Sequence, residues 1–295
     1  MVAGVIPVVY SFFTPSGLLD LDAHERQIAW TRGGGAAGVA LFGLASEGGA
    51  LSPVERRAVL SHTCENLAPT DTLLVTVRPD DDIQDLSRCA VEHRDRVGLI
   101  VQVGKDPSLS IDQIDKLLLD SALAERVDLG LQLAPGLIDT AFSAGALNAH
   151  PALLARLRFL KAEYNSIVLS AHLSSLDKPL SLLVGRHGQN LIDYLRIGAV
   201  GVIPGTEMTM ALRPILDAWT EGRRDEAIRA YCGVAPYVDF AMQDLDTVID
   251  VGRAITAQAL QLNRGLRRVP SGLDAHALER AIDTWWPFWK SMYGN

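Results

Sequence analysis

Short apolar, β-rich runs alternate along this chain with stretches whose hydrophobic positions recur at helical spacing. The first pattern predicts eight strands, over 5–10, 38–42, 72–77, 98–103, 129–133, 158–162, 180–184 and 199–203. The second predicts helices between them, over 22–31, 53–65, 83–93, 111–123, 151–157, 164–176 and 190–197. Leu51-Ser52-Pro53 marks a helix start, with a hydroxyl cap and proline in the first turn. The stretch IVLSAHL could also be a strand, but LSLLVG just after it is the better one. Eight strand–helix units in series predict a (β/α)8 TIM barrel, an α/β fold with a parallel sheet closed on itself.

Two stretches depart from the alternation. The connection over 135–149, with the small residues Ala144-Gly145-Ala146 inside it, reads as a loop long enough to serve a site. After the eighth strand, helices are predicted over 207–220, 224–242, 245–262 and 275–286 with no strands between them. The barrel therefore occupies 1–220 and a C-terminal helical appendage 221–295. An arginine cluster and Pro270 mark a loop over 263–270.

Composition narrows the picture. Hydrophobic residues make up 48% of the 295 positions and charged ones 21%, enough for a large core. No apolar run is long enough to span a bilayer. The opening MVAGVIPVVYSFF lacks a basic region and a cleavage site, so it reads as a buried strand and not a signal peptide. A net charge of −8 without a basic stripe argues against nucleic acid and membrane as partners. Cys64, Cys89 and Cys232 have no metal-ligand spacing and read as buried or half-buried free thiols of a cytoplasmic protein.

Candidate chemistry comes from the lysines, of which there are five. Lys116, Lys178 and Lys290 fall on predicted helices or near Pro179, and Lys105 in the polar turn GKDPS, where solvation is the default. Lys161 alone ends an apolar strand, RFLK, at the carboxyl face where barrel active sites are built. Low-dielectric walls favour a neutral amine that can attack a carbonyl. The structural alternative is an ion pair with Glu47 or Glu163.

Several segments resemble the dihydrodipicolinate synthase and N-acetylneuraminate lyase superfamily of class I Schiff-base aldolases and dehydratases. VIPVVYSFFTPSGLLDLDAHERQIAW is similar to the family's opening strand, turn and helix, and GLASEGGALSPVERRAVL to its glycine–threonine–threonine–glycine–glutamate loop and the helix after it. HPALLARLRFLKAEYN resembles the helix and strand that present the Schiff-base lysine, and LSLLVGRHGQNLIDYLRIGAVGVIPG the last two strands. The resemblance implies that Lys161 forms a covalent imine with a 2-oxo acid such as pyruvate or a keto-deoxy sugar acid, with no metal or other cofactor. It also implies that the substrate carboxylate lies against the 44–46 loop, at Ala45 and Ser46, and near Ile203. A homo-oligomer, dimer or tetramer, is implied as well.

The chain departs from the family where protons move. Leu44 and Ala45 replace two threonines, and Gln132 stands where the family has a proton-shuttling tyrosine. Gln132 can orient an oxygen but cannot titrate. No tyrosine occurs in VGKDPS, where the second family tyrosine falls. The arginine of dihydrodipicolinate synthases would fall near Leu137, yet none lies between Arg126 and Arg156, which argues against that activity. Tyr10, ending the first strand, is the expected replacement proton carrier, with a packed aromatic as its alternative. Ser46 could donate to a carboxylate or simply shape a turn. Arg186 and His187 could bind a polar tail or second carboxylate; Glu47 is expected to be structural, and His172 and Asp139 have weaker cases. The three tryptophans near Pro287 are expected in core or subunit packing.

Two functions follow. One is a lyase acting by aldol cleavage or dehydration through Lys161. The other is a catalytically degenerate barrel that binds a 2-oxo acid or serves regulation. Whether Tyr10 or Ser46 approaches Lys161 discriminates between them.

Overall fold

Eight parallel strands form one sheet in the order β1-β8-β7-β6-β5-β4-β3-β2 in the computed structural model, which describes residues 2–78, 81–102, 114, 120–133, 143–265 and 267–294. The strands are β1 (Gly4–Val5), β2 (Gly38–Leu41), β3 (Thr72–Val77), β4 (Val97–Gln102), β5 (Val127–Leu133), β6 (Leu157–Ala162), β7 (Ser181–Val184) and β8 (Ala199–Val202). Between them run α1 (Leu21–Gly33), α2 (Pro53–Asn66), α3 (Ile83–His93), α4 (Ser121–Arg126), α5 (Ala144–Asn148), α6 (Pro151–Arg156), α7 (Ser166–Ser174) and α8 (Leu191–Arg196). The ambiguous IVLSAHL stretch is helix. Most of the predicted 111–123 helix, Lys105, Lys116, Leu137 and Asp139 lie outside the described residues.

The first strand is shorter than its apolar pattern predicts because Pro7 has no N–H to give the ladder. The segment still closes the barrel. Ile6 donates to the Val202 carbonyl, and Ala40 donates to Pro7 at 2.8 Å. Val8 bridges in parallel to both Ala40 and Gly205. A second difference lies in the 135–149 connection, where Ala144–Asn148 forms a short helix capped by the Ser143 hydroxyl.

Alternation along the strands sorts side chains into two cores. Leu73, Val75, Leu99, Val101, Leu129, Leu131, Leu157, Leu160 and Val184 face outward into the layer shared with the helices. Ile6, Val8, Ala40, Leu74, Ile100, Phe159, Leu183 and Ile203 fill the barrel interior. Phe159 is the large plug of that interior, and Gly130 makes room for it. A Cβ at Gly130 would stand 2.2 Å from the Phe159 ring.

Four helices follow the sheet: α9 (Thr209–Thr220), α10 (Arg224–Ala241), α11 (Leu245–Leu260) and α12 (Ala275–Tyr293). The predicted stop of the last one near Pro287 is overrun by two turns. Trp289, fully buried, meets Tyr237 edge-on at 4.8 Å, and Tyr293 stacks on Trp289, so packing outweighs the lost backbone bond. The tryptophans thus belong to an aromatic core within the chain. Among the thiols, Cys64 is buried and its pKa is pushed up to about 11 by that burial; Cys232 is exposed, contrary to expectation. No helix among the described residues is long and apolar enough to cross a membrane.

Gly130→Ala is expected to lower stability by about 1–3 kcal/mol in urea unfolding, because the added methyl overpacks the barrel against Phe159. A wild-type midpoint and slope would contradict the close approach of these residues.

Candidate active site

Lys161 sits on β6 with Phe159 two positions below it and Glu163 two positions above. The ladder continues beyond the strand, since Glu163 N–H donates to Leu133 O at 2.8 Å. All three side chains therefore point into the barrel. Lys161 is 8% exposed, and its Nζ lies 2.8 Å from Glu163 Oε1. Of the two partners weighed for this lysine, the structure chooses Glu163 and gives Glu47 others.

Register brings Gln132 beside this pair. Gln132 on β5 is paired with Lys161, and Gln102 on β4 with Gln132, so a row of amides ends at the lysine. Gln132 is buried and its side chain hydrogen-bonds Glu163. Burial pushes the Glu163 carboxyl upward. The Lys161 charge and hydrogen bond, the Gln132 bond and the Arg186 charge together outweigh it and hold the carboxyl below its ordinary range.

Arg186 reaches this rim from an unusual turn. Arg186, His187 and Gly188 have φ of +46°, +58° and +83°, and Asn190 has +60°. Non-glycine residues adopt that region only when surroundings impose it. Here Gly205 N–H donates to His187 Nδ1 at 3.1 Å, and Tyr231 hydroxyl donates to Gly188 O at 3.1 Å. Arg186 is exposed, and its guanidinium has no hydrogen-bond or ion-pair partner among the described residues. Gly185 is also required, because a Cβ there would lie 2.5 Å from Glu163 Cγ. Behind the pair, Tyr194 both accepts from Tyr164 N–H at 3.0 Å and donates to Tyr164 O, holding the chain just past Glu163.

The second loop is wound as two short 3-10 turns, Leu44–Ser46 and Gly48–Ala50. Ser46 N–H and hydroxyl both go to Gly43 O, the hydroxyl at 2.8 Å, so the turn-shaping reading of Ser46 is the one realised. The N–H groups of Leu44 and Ala45 have no acceptor among the described residues. Ala45 is half-buried against the barrel interior. Ile203 contributes its buried side chain there, but its N–H is committed to Val184 O at 2.8 Å.

Tyr10 is placed elsewhere. Its hydroxyl donates to Glu207 Oε2 at 3.0 Å and lies 3.5 Å from Val248 O, and the residue is fully buried. Tyr237 donates to Glu207 Oε1 at 3.0 Å, and His187 Nε2 stands 3.1 Å from the same oxygen. Burial, and then the negative charge of Glu207, raise Tyr10 and Tyr237 well above the usual phenol range. Tyr10 thus belongs to the carboxylate hub under the C-terminal helices and not to the Lys161–Glu163 pair, which removes its expected part in proton transfer. Glu47 has its structural part: it accepts from Arg267 Nε at 3.3 Å and Val269 N–H at 3.0 Å, with Arg253 3.7 Å away. His172 is buried on α7, where burial lowers its pKa. Two clefts at the amino-terminal end of the barrel, around Val2, Arg96 and Asp128, lie at the end that serves stability in this fold.

Two stability outcomes follow. Tyr10→Phe leaves the buried Glu207 one donor short and is expected to cost about 1–2 kcal/mol in chemical unfolding. Arg268 holds Glu55 at the start of α2 by two bonds of 2.6–2.7 Å, and the Glu55 pKa falls to about 2, chiefly through that bond. The folded value lies below the ordinary 4.5, so this contribution is complete above pH 4.5 and lost as pH falls toward 2. Arg268→Gln should therefore flatten the stability–pH curve in that acid window, as read by thermal melting across pH.

No protein-family model matches the chain. An L-2-keto-3-deoxyarabonate dehydratase of Azospirillum brasilense is 24% identical over 250 residues, covering 80% of this chain and 78% of that one. Among solved structures, dihydrodipicolinate synthase of Rhodopseudomonas palustris superposes with a TM-score of 0.81 at 18% identity, covering 99% of this chain and 97% of that one. The sialic acid aldolase of Ruminococcus gnavus superposes with a TM-score of 0.80 at 17% identity, with 99% of each chain covered. The chain thus has the barrel fold of dihydrodipicolinate synthases and sialic acid aldolases and is similar in sequence to a keto-deoxy sugar acid dehydratase.

Proposed function

We propose that the protein is a Schiff-base-forming lyase that acts on a 2-oxo acid, of the keto-deoxy sugar acid type, through Lys161. The observation that carries this reading is a buried lysine at the carboxyl end of β6, seated above the Phe159 plug and opening to the barrel mouth. The amine attacks the C2 carbonyl, a carbinolamine forms, and loss of water gives a protonated imine. That imine withdraws electrons, so the C3–C4 bond can break and leave an enamine, or C3 can lose a proton to give an enamine that expels the C4 hydroxyl as water once that oxygen is protonated. The N–H groups of Leu44 and Ala45 supply donors for the substrate carboxylate without adding charge. Gln132 orients oxygen atoms beside Lys161, and Arg186 offers a cation to a polar or anionic tail. The dehydratase of Azospirillum brasilense favours dehydration of a keto-deoxy sugar acid over condensation.

One observation favours the alternative, a 2-oxo acid binding protein without turnover. Tyr10, the expected proton carrier, and Ser46, a possible carboxylate donor, have hydroxyls bonded elsewhere.

Borohydride reduction in the presence of pyruvate and a panel of 2-oxo acids, read by intact and peptide mass spectrometry, tests the nucleophile. A stable adduct on Lys161, absent in Lys161→Ala, is expected. A folded wild-type protein that gives no adduct with any member of the panel rules the Schiff base out and leaves a binding barrel.

A further inference from the structure

Imine formation at Lys161 moves two protons from nitrogen to oxygen, and the residues aligned with the family's hydroxyls cannot move them. Gln132, Leu44 and Ala45 have no titrating group. The ionisable side chain against the reacting nitrogen is Glu163, with Oε1 2.8 Å from Nζ. Strand alternation aims it at the same space as Lys161. Its side chain is 17% exposed, so it meets that space with little competing water. Gly185 clears a slot that any larger residue would fill: a Cβ would lie 2.5 Å from Glu163 Cγ and 2.7 Å from Oε1. Gln132 bonds it from one side, and the Arg186 charge acts on it from the rim. Tyr194 braces the next peptide. A pair meant only to neutralise a buried lysine needs neither the slot nor the amide.

We propose that Glu163 is the acid–base residue of this site, shuttling protons between the Lys161 amine and the C2 oxygen of the bound 2-oxo acid. The proposal rests on the reading of Lys161 as the Schiff-base lysine and adds the group that makes the chemistry run. At rest the pair is an ammonium and a carboxylate. Glu163 takes one proton from Nζ, and the freed lone pair forms the bond to C2 as the carbonyl π electrons move to oxygen. Glu163 returns that proton to the oxygen, giving a hydroxyl and leaving nitrogen with two protons and a positive charge. It then removes one of those protons and passes it to the hydroxyl. Water departs with the C–O bonding electrons, and the nitrogen lone pair closes the C=N bond. The sum is one ammonium and one ketone converted to one protonated imine and one water, with Glu163 again a carboxylate. The Arg186 charge and the Gln132 hydrogen bond favour that carboxylate between turnovers, so Glu163 is ready to act as base first and becomes an acid only with the lysine's own proton.

The test is the rate of imine formation with pyruvate, measured by timed borohydride quench across pH in wild type, Glu163→Gln and Glu163→Asp, each checked by thermal melting. Glu163→Gln keeps shape and hydrogen bonding but cannot titrate. It is expected to slow imine formation by about 100-fold or more and to abolish the acid limb of the pH–rate profile. Glu163→Asp, whose carboxylate retreats from Nζ, is expected to recover part of the rate and to keep an acid limb. A folded Glu163→Gln that forms the adduct at the wild-type rate overturns the proposal and leaves Lys161 as nucleophile. A slowed Glu163→Gln with an unchanged pH profile also overturns it, because a pair that only positions the lysine behaves that way. If Glu163→Gln does not fold, Glu163→Asp decides: an unchanged rate and profile overturns the proposal. Absence of any adduct in wild type is a separate outcome, which removes the Schiff-base reading and this one with it.

Discussion

Everything at the mouth of this barrel depends on the two-residue period of β6. A strand inside a closed barrel has one face for packing against helices and one for the interior, and no residue can serve both. From Phe159 onward, past a bulge at the start of the strand, Leu160 and Ala162 take the outer face, so Phe159, Lys161 and Glu163 share the inner one. Phe159 fills the cross-section below, which the absence of a side chain at Gly130 permits. The ammonium above it therefore has a dry floor and meets its counter-charge, an amide and the mouth. A slip of one residue would bury Leu160 and Ala162 inside and turn both charges out toward the helices.

Around that axis, three carboxylates hold the C-terminal helices to the barrel. Glu47 collects Arg267 and the Val269 amide, Glu55 collects Arg268, and Glu207 collects Tyr10, Tyr237 and His187. Glu47 and Glu207 are almost wholly buried, where a carboxylate is tolerated only with donors around it. The His187 contact also reaches the site. It pins a turn whose left-handed residues present Arg186 to the rim, so helices far from the chemistry help set the field there.

The sequence disclosed the scaffold far better than the wiring. Strand and helix periods recur locally, so β3, β6, β7 and α3 fall within a residue or so of where their patterns place them. Pro7 and Pro287 misled in opposite directions: one interrupts a ladder its apolar neighbours imply, the other is carried through by Trp289 packing against Tyr237. At the site, Lys161 was legible because lysines are few and only one ends an apolar strand. Tyr10 was misjudged because its partners Glu207 and Val248 lie 197 and 238 positions away, and no local pattern announces such contacts. Glu163 was weighed only as one of two structural ion-pair partners, although the signal that singles it out was present. An acid two positions after a strand-ending lysine shares its face, and that spacing alone pairs them.

The bonds of Glu47 also bear on how the chain is made. Its partners Arg267 and Val269 lie 220 and 222 residues downstream. At translation rates of about 5–20 residues per second, the loop after β2 waits roughly 10–40 s for the groups that neutralise it. Over that interval the nascent barrel exposes a carboxylate that the finished protein hides, together with the apolar surface beneath α11 and α12. Completion of the native state is thereby deferred until residues 267–269 have emerged, and the growing polypeptide needs shelter from aggregation until then.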